Sequence, residues 1–315
     1  MSRRIDRLIS HIRKVSENDT ENSTTDITDN EIIEFINEGQ HRIQARIIAQ
    51  FPRVFVKESE IDSVADQEEY SLPSDVFLAS RVISVEYTTD TGSDPTFYKL
   101  KPGYERNRMS DLSGVPEYYI RRDKLDDNTA SILLSPKPDN SSGTIRVTYI
   151  QAIDEMDKRR GIISAVTTSA TQLTALTLDV SGDPPIDSDA LEDFDHICIV
   201  DKLGNIKMRN VQFDSVNTST GVVTLTSSHT FTSGETASVS NYVVGGKDRT
   251  THSRFPRNIE RYLIQFAVWK IFKRDSSTDA TDQLSEVMAI ESDIIESFQD
   301  IQEDIYEIAI IDEWD

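Results

Sequence analysis

The residues of this sequence that could take part in catalysis are dispersed, and they lack the neighbours that catalysis requires. No two of the five histidines stand four residues apart and none has a cysteine partner, which argues against a zinc site: His11, His41, His196, His229 and His252. Gly245-Gly246-Lys247 lacks the upstream glycine and the following Ser or Thr of a phosphate-binding loop. The sequence therefore predicts a protein that is not an enzyme and has no catalytic, cofactor-binding or metal-binding residue.

The acidic stretch of residues 179–195 is the best candidate for a cation site. Carboxylate oxygens are the ligands that calcium prefers, and a loop of this kind can supply several of them. However, Asp187-Ser-Asp189 is not followed by the glycine and the terminal glutamate of an EF-hand loop. We therefore expect a solvated loop, and the sequence alone leaves cation binding open.

The net charge of −22 over 315 residues argues against tight binding of nucleic acid, because contacts with phosphates require an excess of Lys and Arg. Residues 275–315 contain 14 Asp or Glu and no Lys or Arg. This acidic segment predicts a solvated helix face, a surface that repels DNA, or one that docks on a basic partner. No apolar run could span a bilayer and the first residues lack the apolar core of a signal peptide, so we expect a soluble protein made in the cytoplasm, with no membrane partner.

Two helices are predicted in the first 51 residues. Apolar residues recur at helical spacing between residues 2 and 15 among basic ones, which favours packing within the protein or on a neighbouring subunit over a membrane surface. Thr28 and Glu31 form a capping box that opens a second helix, which should stop at Phe51 because Pro52 follows. Gly39 interrupts the apolar stripe of this helix where another helix could approach closely.

Apolar runs with a period of two predict two β segments in the middle of the chain. Short strands bounded by Gly, Pro, Asn and Asp occupy residues 54–151 and predict an antiparallel sheet domain. The following segment, to about residue 246, is rich in Thr, Ser and Val and has a faint repeat that begins at residues 164 and 214. Each copy ends in an acid-led alternation, at residues 195–199 and 235–239, and duplicated hairpins that close into a small barrel would explain the repeat. Cys198 should be a buried, small apolar residue of this segment.

Two further helices are predicted after residue 254. The first has Pro256 at its first position and is apolar nearly all round, so it must be buried on most sides. The second runs from about residue 279 to residue 308 with apolar positions at intervals of three and four, and one charged member, Glu291, hints at contact with another chain. We predict that this stripe forms a seam within the bundle or between subunits: Leu284, Val287, Ile294, Phe298, Ile301 and Ile305.

Together these patterns predict an α+β protein in which both ends of the chain form one helical bundle. We place the first part of the bundle at residues 1–57, the antiparallel β domain at 58–156 and an inserted, barrel-like all-β domain at 157–249. The second part of the bundle follows at residues 250–306, and a C-terminal docking tail at 307–315. The insertion should be separable, because surface loops accept insertions at little entropic cost.

Four short phrases lie in the first β segment: Tyr70-Ser-Leu-Pro73-Ser-Asp75, Gly114-Val-Pro116-Glu-Tyr118-Tyr119, Leu134-Ser-Pro136-Lys-Pro138 and Ile145-Arg-Val-Thr-Tyr149. Each phrase alone is common at the ends of strands and in turns of β-rich proteins. In this order and spacing, between two helical segments, they resemble the head-to-tail adaptor proteins of short-tailed bacteriophages, also called connector or head completion proteins. The resemblance covers residues 28–156 and 254–306.

This resemblance implies a structural virion protein at the head–tail junction, assembled in the host cytoplasm. Proteins of this kind form a ring, typically of twelve subunits, beneath the portal protein and offer a platform to a tail or nozzle protein. Genomic DNA would pass through the exit channel of the ring without specific binding. The resemblance also implies that the C-terminal tail docks on the portal through these residues: Tyr306, Ile308, Ile310, Ile311 and Trp314.

An alternative function is a β-rich virion module that binds carbohydrate or another tail component. The Thr- and Ser-rich insertion suggests this function, but such a module should expose clustered aromatic side chains. The aromatic residues between positions 160 and 246 are instead spaced like core residues: Phe194, Phe213, Phe231 and Tyr242.

Overall fold

The computed structural model describes residues 4–16, 27–79, 81–92, 95–103, 116–121, 130–139, 142–187, 191–231, 234–275 and 277–311, with backbone only from residue 299 onward. The chain divides into two compact units. The first, called here the sandwich unit, consists of Ile47–Ile153. The second, called the barrel–helix unit, consists of Met1–Arg46 and Asp154–Asp315. The domain boundaries proposed from the sequence, including a separable insertion at residues 157–249, stay predictions.

The sandwich unit contains two four-stranded sheets. The first has the strand order β1 (Val56–Asp62), β8 (Thr144–Ile150), β3 (Val82–Thr88) and β4 (Tyr98–Lys99), with antiparallel neighbours throughout. The second has the order β2 (Glu69–Ser71), β7 (Ser131–Ser135), β6 (Glu117–Arg121) and β5 (Lys101–Pro102). A single turn of 3-10 helix, Phe77–Ala79, lies between β2 and β3.

One apolar core is shared by the two sheets of the sandwich unit. Ile145, Val147 and Tyr149 alternate along β8, are fully buried, and belong to the same cluster as Ile132 and Leu134 of β7. The alternation confirms the period of two predicted for β8, whereas three consecutive residues of β7, Ile132–Leu134, are buried. One prediction for this region needs correction, because β5 runs parallel to β6. The chain between these two strands is long enough for the crossover that a parallel pair requires.

The barrel–helix unit contains a closed six-stranded barrel. Around the barrel the strands follow the order β10 (Gly161–Thr168), β16 (Tyr242–Gly245), β12 (His196–Val200), β13 (Ile206–Val216), β14 (Val222–Leu225) and β11 (Gln172–Leu178). The pairing of β11 with β10 closes the ring, so none of these strands is left with a free edge. Outside the ring, β15 (His229–Thr230) pairs with β11, and β9 (Glu155–Met156) runs parallel to β17 (Arg249–Thr250).

The barrel confirms the predicted all-β segment, but its strands do not follow the predicted repeat of duplicated hairpins. Residues 195–199 coincide with most of β12, whereas residues 235–239 form no strand. The chain turns there instead, with a positive φ of 70° at Ser240, and the barrel strand β16 starts only at Tyr242. Cys198 is fully buried with Val200 and Val244, as predicted, and burial raises the pKa of its thiol.

Four helices belong to the described part of the chain: α1 (Ile5–Val15), α2 (Asp29–Gln50), α3 (Arg257–Arg274) and α4 (Ala280–Ile311). The predicted capping box opens α2, since the Thr28 amide donates to Glu31 Oε2 at 2.8 Å and the Glu31 amide donates to Thr28 Oγ1 at 3.2 Å. Pro256 is the N-cap of α3 rather than its first helical residue. In the described part of the chain, no helix combines the length and apolarity needed to cross a membrane.

The helices touch one another at the positions that the sequence singled out. A Cβ atom on Gly39 of α2 would lie 2.8 Å from a ring carbon of Phe266 in α3, which confirms the close approach predicted at this glycine. The apolar face of α1, including Ile5, Leu8 and Ile12, is fully buried within the chain, although Val15 is exposed. The single bundle built from both ends of the chain stays a proposal.

Candidate functional site

The side chain of Asp75 is the meeting point of two of the four sequence phrases. Its carboxylate accepts hydrogen bonds from the Tyr149 hydroxyl at 2.7 Å, the Lys57 ammonium at 2.7 Å and the Gln151 amide at 3.0 Å. Because Asp75 is only 8% exposed, these donors replace the water that the carboxylate loses. The phrases that end at Asp75 and Tyr149 therefore fasten β8 to the turn after β2.

The other two phrases pair with each other on β6 and β7. Tyr118 lies opposite Leu134, and both side chains are buried in the sandwich core. Tyr70, in the first phrase, donates its hydroxyl to the Val64 carbonyl and accepts a hydrogen bond from the Val64 amide. Residues 114 and 115 lie outside the described part of the chain. In their described parts, the four phrases build the core and turns of the sandwich unit.

A buried charged group of residues, which the sequence analysis missed, joins the barrel to the start of α2. Arg160 is 1% exposed, and its guanidinium contacts Asp157 at 2.6 Å, Asp187 at 2.8 Å and the Asn30 amide oxygen at 2.9 Å. The Gly245 amide donates to Asp157 Oδ2 at 2.8 Å. Burial alone would lower the pKa of Arg160, but the two carboxylates outweigh it and raise the pKa. We call these five residues the Arg160 cluster.

A second charged group ties β13 to the segments that flank the barrel. Arg209 Nη1 lies 2.8 Å from Asp154 Oδ1 and 2.8 Å from Asp248 Oδ1, and Arg254 Nε lies 3.4 Å from Asp154 Oδ2. Burial opposes the charge of Arg209, yet the two carboxylates raise its pKa. The dense mixture of acids and bases at residues 154–160 was the one sequence signal that could have indicated these buried pairs.

Polar side chains of α2 bind the strand β9. The Asn37 amide group donates to the Met156 carbonyl at 2.9 Å and accepts from the Met156 amide at 2.8 Å. His41 Nε2 lies 2.8 Å from Glu155 Oε1, and Arg249 Nη2 lies 2.9 Å from Glu155 Oε2. Burial would raise the pKa of Glu155, but His41 and Arg249 together lower it. These contacts hold α2 against the strand β9, next to its partner β17.

Glu291, the charged member of the α4 stripe, has its partners within the same chain. Its carboxylate lies 2.9 Å from Arg46 Nε and 3.1 Å from Arg42 Nη2 of α2, and it accepts a 3.4 Å hydrogen bond from the Tyr262 hydroxyl of α3. Burial and this carboxylate raise the pKa of Tyr262. The sequence suggested contact with another chain at Glu291, whereas the structure accounts for its charge with two arginines of the same chain.

The predicted seam of α4 is buried within the chain over its first half. Val287 and Ile294 are buried, and Leu284 and Phe298 are partly buried. Gln265 of α3 hydrogen-bonds to Glu286 at 3.0 Å along the same helix pair. The side chains of two seam residues lie outside the described part of the chain: Ile301 and Ile305.

The predicted portal-docking residues stand at the C-terminal end of α4. The helical backbone continues through Ile311, three residues further than predicted. Trp314 and the side chains of the other four residues lie outside the described part of the chain: Tyr306, Ile308, Ile310 and Ile311. Their docking role stays a prediction.

Two carboxylates of the acidic loop of residues 179–195 make contacts within the protein. Asp187 binds Arg160, as described above, and also lies 3.4 Å from Lys158 Nζ. Asp179 accepts a hydrogen bond from the Ser181 amide at 3.0 Å and so closes a turn. Asp189 lies outside the described residues. Within the described ranges, no three His, Cys, Asp or Glu side chains are grouped so that they could hold a metal ion.

Comparison with known protein families matches residues 4–191 to the SU10 adaptor protein model. The matched range is more than half of the chain and includes α1, α2, the whole sandwich unit and the first two barrel strands. It therefore extends into the segment at residues 157–191 that the sequence analysis placed outside the resemblance. None of the curated proteins compared with the chain matches it. The match agrees with the resemblance to phage head-to-tail adaptors, and the chain belongs to the SU10 adaptor protein family.

Proposed function

We propose that this chain joins the portal vertex of a phage capsid to the tail as a structural component of the virion. The observation that carries the proposal is the family match over residues 4–191. The buried ion pairs support it, since the Arg160 cluster places its charges against one another and uses them to hold elements together. In this role the protein acts as a scaffold and not as an enzyme.

The proposed assembly is a closed homo-oligomeric ring, a dodecamer, placed between the portal and a tail or nozzle protein. A ring needs two different, complementary surfaces on each subunit. The first half of the α4 stripe is covered within the chain, so the second half, with Ile301 and Ile305, is the part that we assign to contacts between subunits or with the portal. The subunits would assemble in the host cytoplasm onto the portal, which serves as the template.

The length of α4 supports a docking role for its end. Helix α4 has 32 residues and α3 has 18, and the contacts of Tyr262 with Glu291 and of Gln265 with Glu286 show that the two run antiparallel. At a rise of 1.5 Å per residue, α4 continues roughly 25 Å beyond the first residue of α3. We propose that this extension carries the docking residues into apolar grooves of the portal.

The acidic charge of the chain supports passage of DNA without specific binding. Residues 275–315 contain 14 carboxylates and no basic side chain. A channel lined with such groups repels phosphates and would let the genome leave without being retained. Placing this face toward the channel is part of the proposal.

A variant truncated after Asp304 tests the docking role. We expect it to stay folded, with cooperative melting, and to lose binding to purified portal in sedimentation and negative-stain microscopy. The matched control is the full chain with Asp312→Asn, Glu313→Gln and Asp315→Asn, which keeps the apolar residues and should bind with slower association. Unchanged affinity of the truncated protein for the portal would show that the tail is not the docking element.

The alternative function, binding of carbohydrate by the barrel, has weaker support. Phe213 is buried in the barrel core, and Phe194 and Phe231 pack against that core. The ring of Tyr242 is covered by the Arg159 guanidinium at 3.6 Å. All four aromatic residues of this segment thus have packing partners in the protein, whereas a sugar site needs exposed rings.

A further inference from the structure

A cavity of about 440 Å³ lies between the start of α1 and the loop that follows β11. Three basic side chains line it, from Arg4, Lys158 and Arg159, together with the apolar wall Pro184-Pro185-Ile186. Three carboxylates also line it, from Asp6, Asp183 and Asp187. The cavity therefore combines charges of both signs with an apolar surface.

Some of the charged side chains that line the cavity have an ion-pair partner, and Arg159 has none among the described residues. Asp6 forms an ion pair with Arg4, and Asp187 lies between Lys158 and Arg160. Arg159 forms no ion pair with a carboxylate of the described residues, and its nearest polar contact is a 3.0 Å hydrogen bond from Nη2 to the Lys202 carbonyl.

The guanidinium of Arg159 is short of hydrogen-bond acceptors. Its Nε is buried and has no acceptor among the described residues. One face of the group stacks on the Tyr242 ring, with the guanidinium carbon 3.6 Å from the ring centroid. Burial lowers the pKa of Arg159, and the nearby positive charge of Arg4 lowers it further. Arg159 has no carboxylate partner among the described residues and lines the cavity, so an anion bound there would stabilise its positive charge.

We propose that the cavity binds a carboxylate of an acidic peptide, with Arg159 as the main donor and the Pro184-Pro185-Ile186 wall as the surface for an adjacent apolar side chain. Nucleic acid fits less well, because the three aspartates that line the cavity would repel a backbone with closely spaced phosphates. A peptide carboxylate next to an apolar residue meets this repulsion at fewer charges than a phosphate backbone does, and the apolar residue can pack on the Pro184-Pro185-Ile186 wall. The C-terminal residues of this chain, Ile311-Asp-Glu-Trp314-Asp315, place carboxylates beside Ile311 and Trp314 and provide a suitable probe.

The test is a titration of the full-length protein with a fluorescent peptide of residues 307–315, followed by anisotropy. We expect saturable binding that weakens by about tenfold in Arg159→Gln, since charged hydrogen bonds contribute strongly, and less in Arg159→Lys. Asp183 is exposed at the cavity, so Asp183→Asn should tighten binding by about two- to fivefold through lost repulsion. A tighter complex cannot result from misfolding. Asp282→Asn, which removes an exposed carboxylate far along the chain on α4, is the matched control and should change nothing.

Two results would overturn the proposal. One is the absence of saturable peptide binding, or peptide binding that neither the Arg159 nor the Asp183 substitution changes. The other is binding of inorganic phosphate or a DNA oligonucleotide that depends on Arg159 while the peptide does not bind, which would make the cavity a phosphate site. Because the test uses the isolated protein and no portal, its failure leaves the proposed ring function untouched.

Discussion

The two units of the molecule use polar side chains in opposite ways. Among its described residues, the sandwich unit buries one carboxylate, Asp75, and surrounds it with donors from residues close to its own sheets. The barrel–helix unit buries several ionic groups and connects through them parts of the chain that are far apart, such as Asn30 and Arg160. Short phrases in a sequence can therefore define the first unit, whereas the second depends on charges brought together only by folding.

The largest effect should come from breaking the Arg160 cluster. Arg160→Met leaves the fully buried Asp157 without its counter-charge, and losing one member of a buried pair costs about 3–5 kcal/mol of unfolding free energy. Urea denaturation measures this loss. The control is Arg121→Met, which removes an exposed pair with Glu69 and should cost less than about 1 kcal/mol. Equal losses in the two variants would contradict the importance of the buried pair.

The second prediction concerns Asp75, the buried carboxylate of the sandwich unit. Asp75→Ala removes three hydrogen bonds of a buried carboxylate, from the Tyr149 hydroxyl, the Lys57 ammonium and the Gln151 amide, for an expected loss of about 2–3 kcal/mol. Tyr149→Phe removes only one of these contacts and should cost about 1 kcal/mol. Both can be measured by chemical denaturation. An Asp75→Ala protein as stable as the parent would mean that the apolar core alone holds this unit.

The sequence predicted local features of both units well, for reasons that are themselves local. The Thr28–Glu31 capping box and the alternation along β8 depend only on residues near each other in the chain. The Arg160 cluster as a whole could not be predicted, because Asn30 lies 130 residues from Arg160 and only folding brings the two together; the acids and bases of residues 154–160 were its one local signal. The partners of Glu291 were missed for the same reason, since α2 and α4 stand at opposite ends of the chain.

A third prediction tests the contact of α2 with α3. Gly39→Ala adds a Cβ 2.8 Å from the Phe266 ring, and the overlap should cost about 1–3 kcal/mol, partly offset by the higher helix propensity of alanine. Thermal unfolding checks the net loss. The double variant Gly39→Ala with Phe266→Leu relieves the overlap and should lose less than the two single variants predict together. Strict additivity would argue against direct contact.

The smallest effect should come from the Glu155 contacts with His41 and Arg249. These partners lower the pKa of Glu155 in the folded protein despite its burial. The ionised carboxylate therefore stabilises the fold at pH values above the pKa that Glu155 has in the unfolded chain. This stabilisation is lost as the pH falls through the pKa of Glu155 in the folded protein. Glu155→Gln should therefore cost about 0.5–1 kcal/mol at pH 7, because the pair is partly exposed. The difference from the parent should shrink below about pH 4. A difference that stays constant with pH would show that charge is not its cause.

We propose that this member of the SU10 adaptor protein family assembles on the portal. Electron microscopy of the purified protein mixed with its portal tests that claim most directly. We expect closed rings of twelve subunits seated on the portal, with α4 directed into it. A protein that remains separate from the portal at every concentration tested, or that binds it as scattered single subunits, would show that it does not assemble on the portal as a ring.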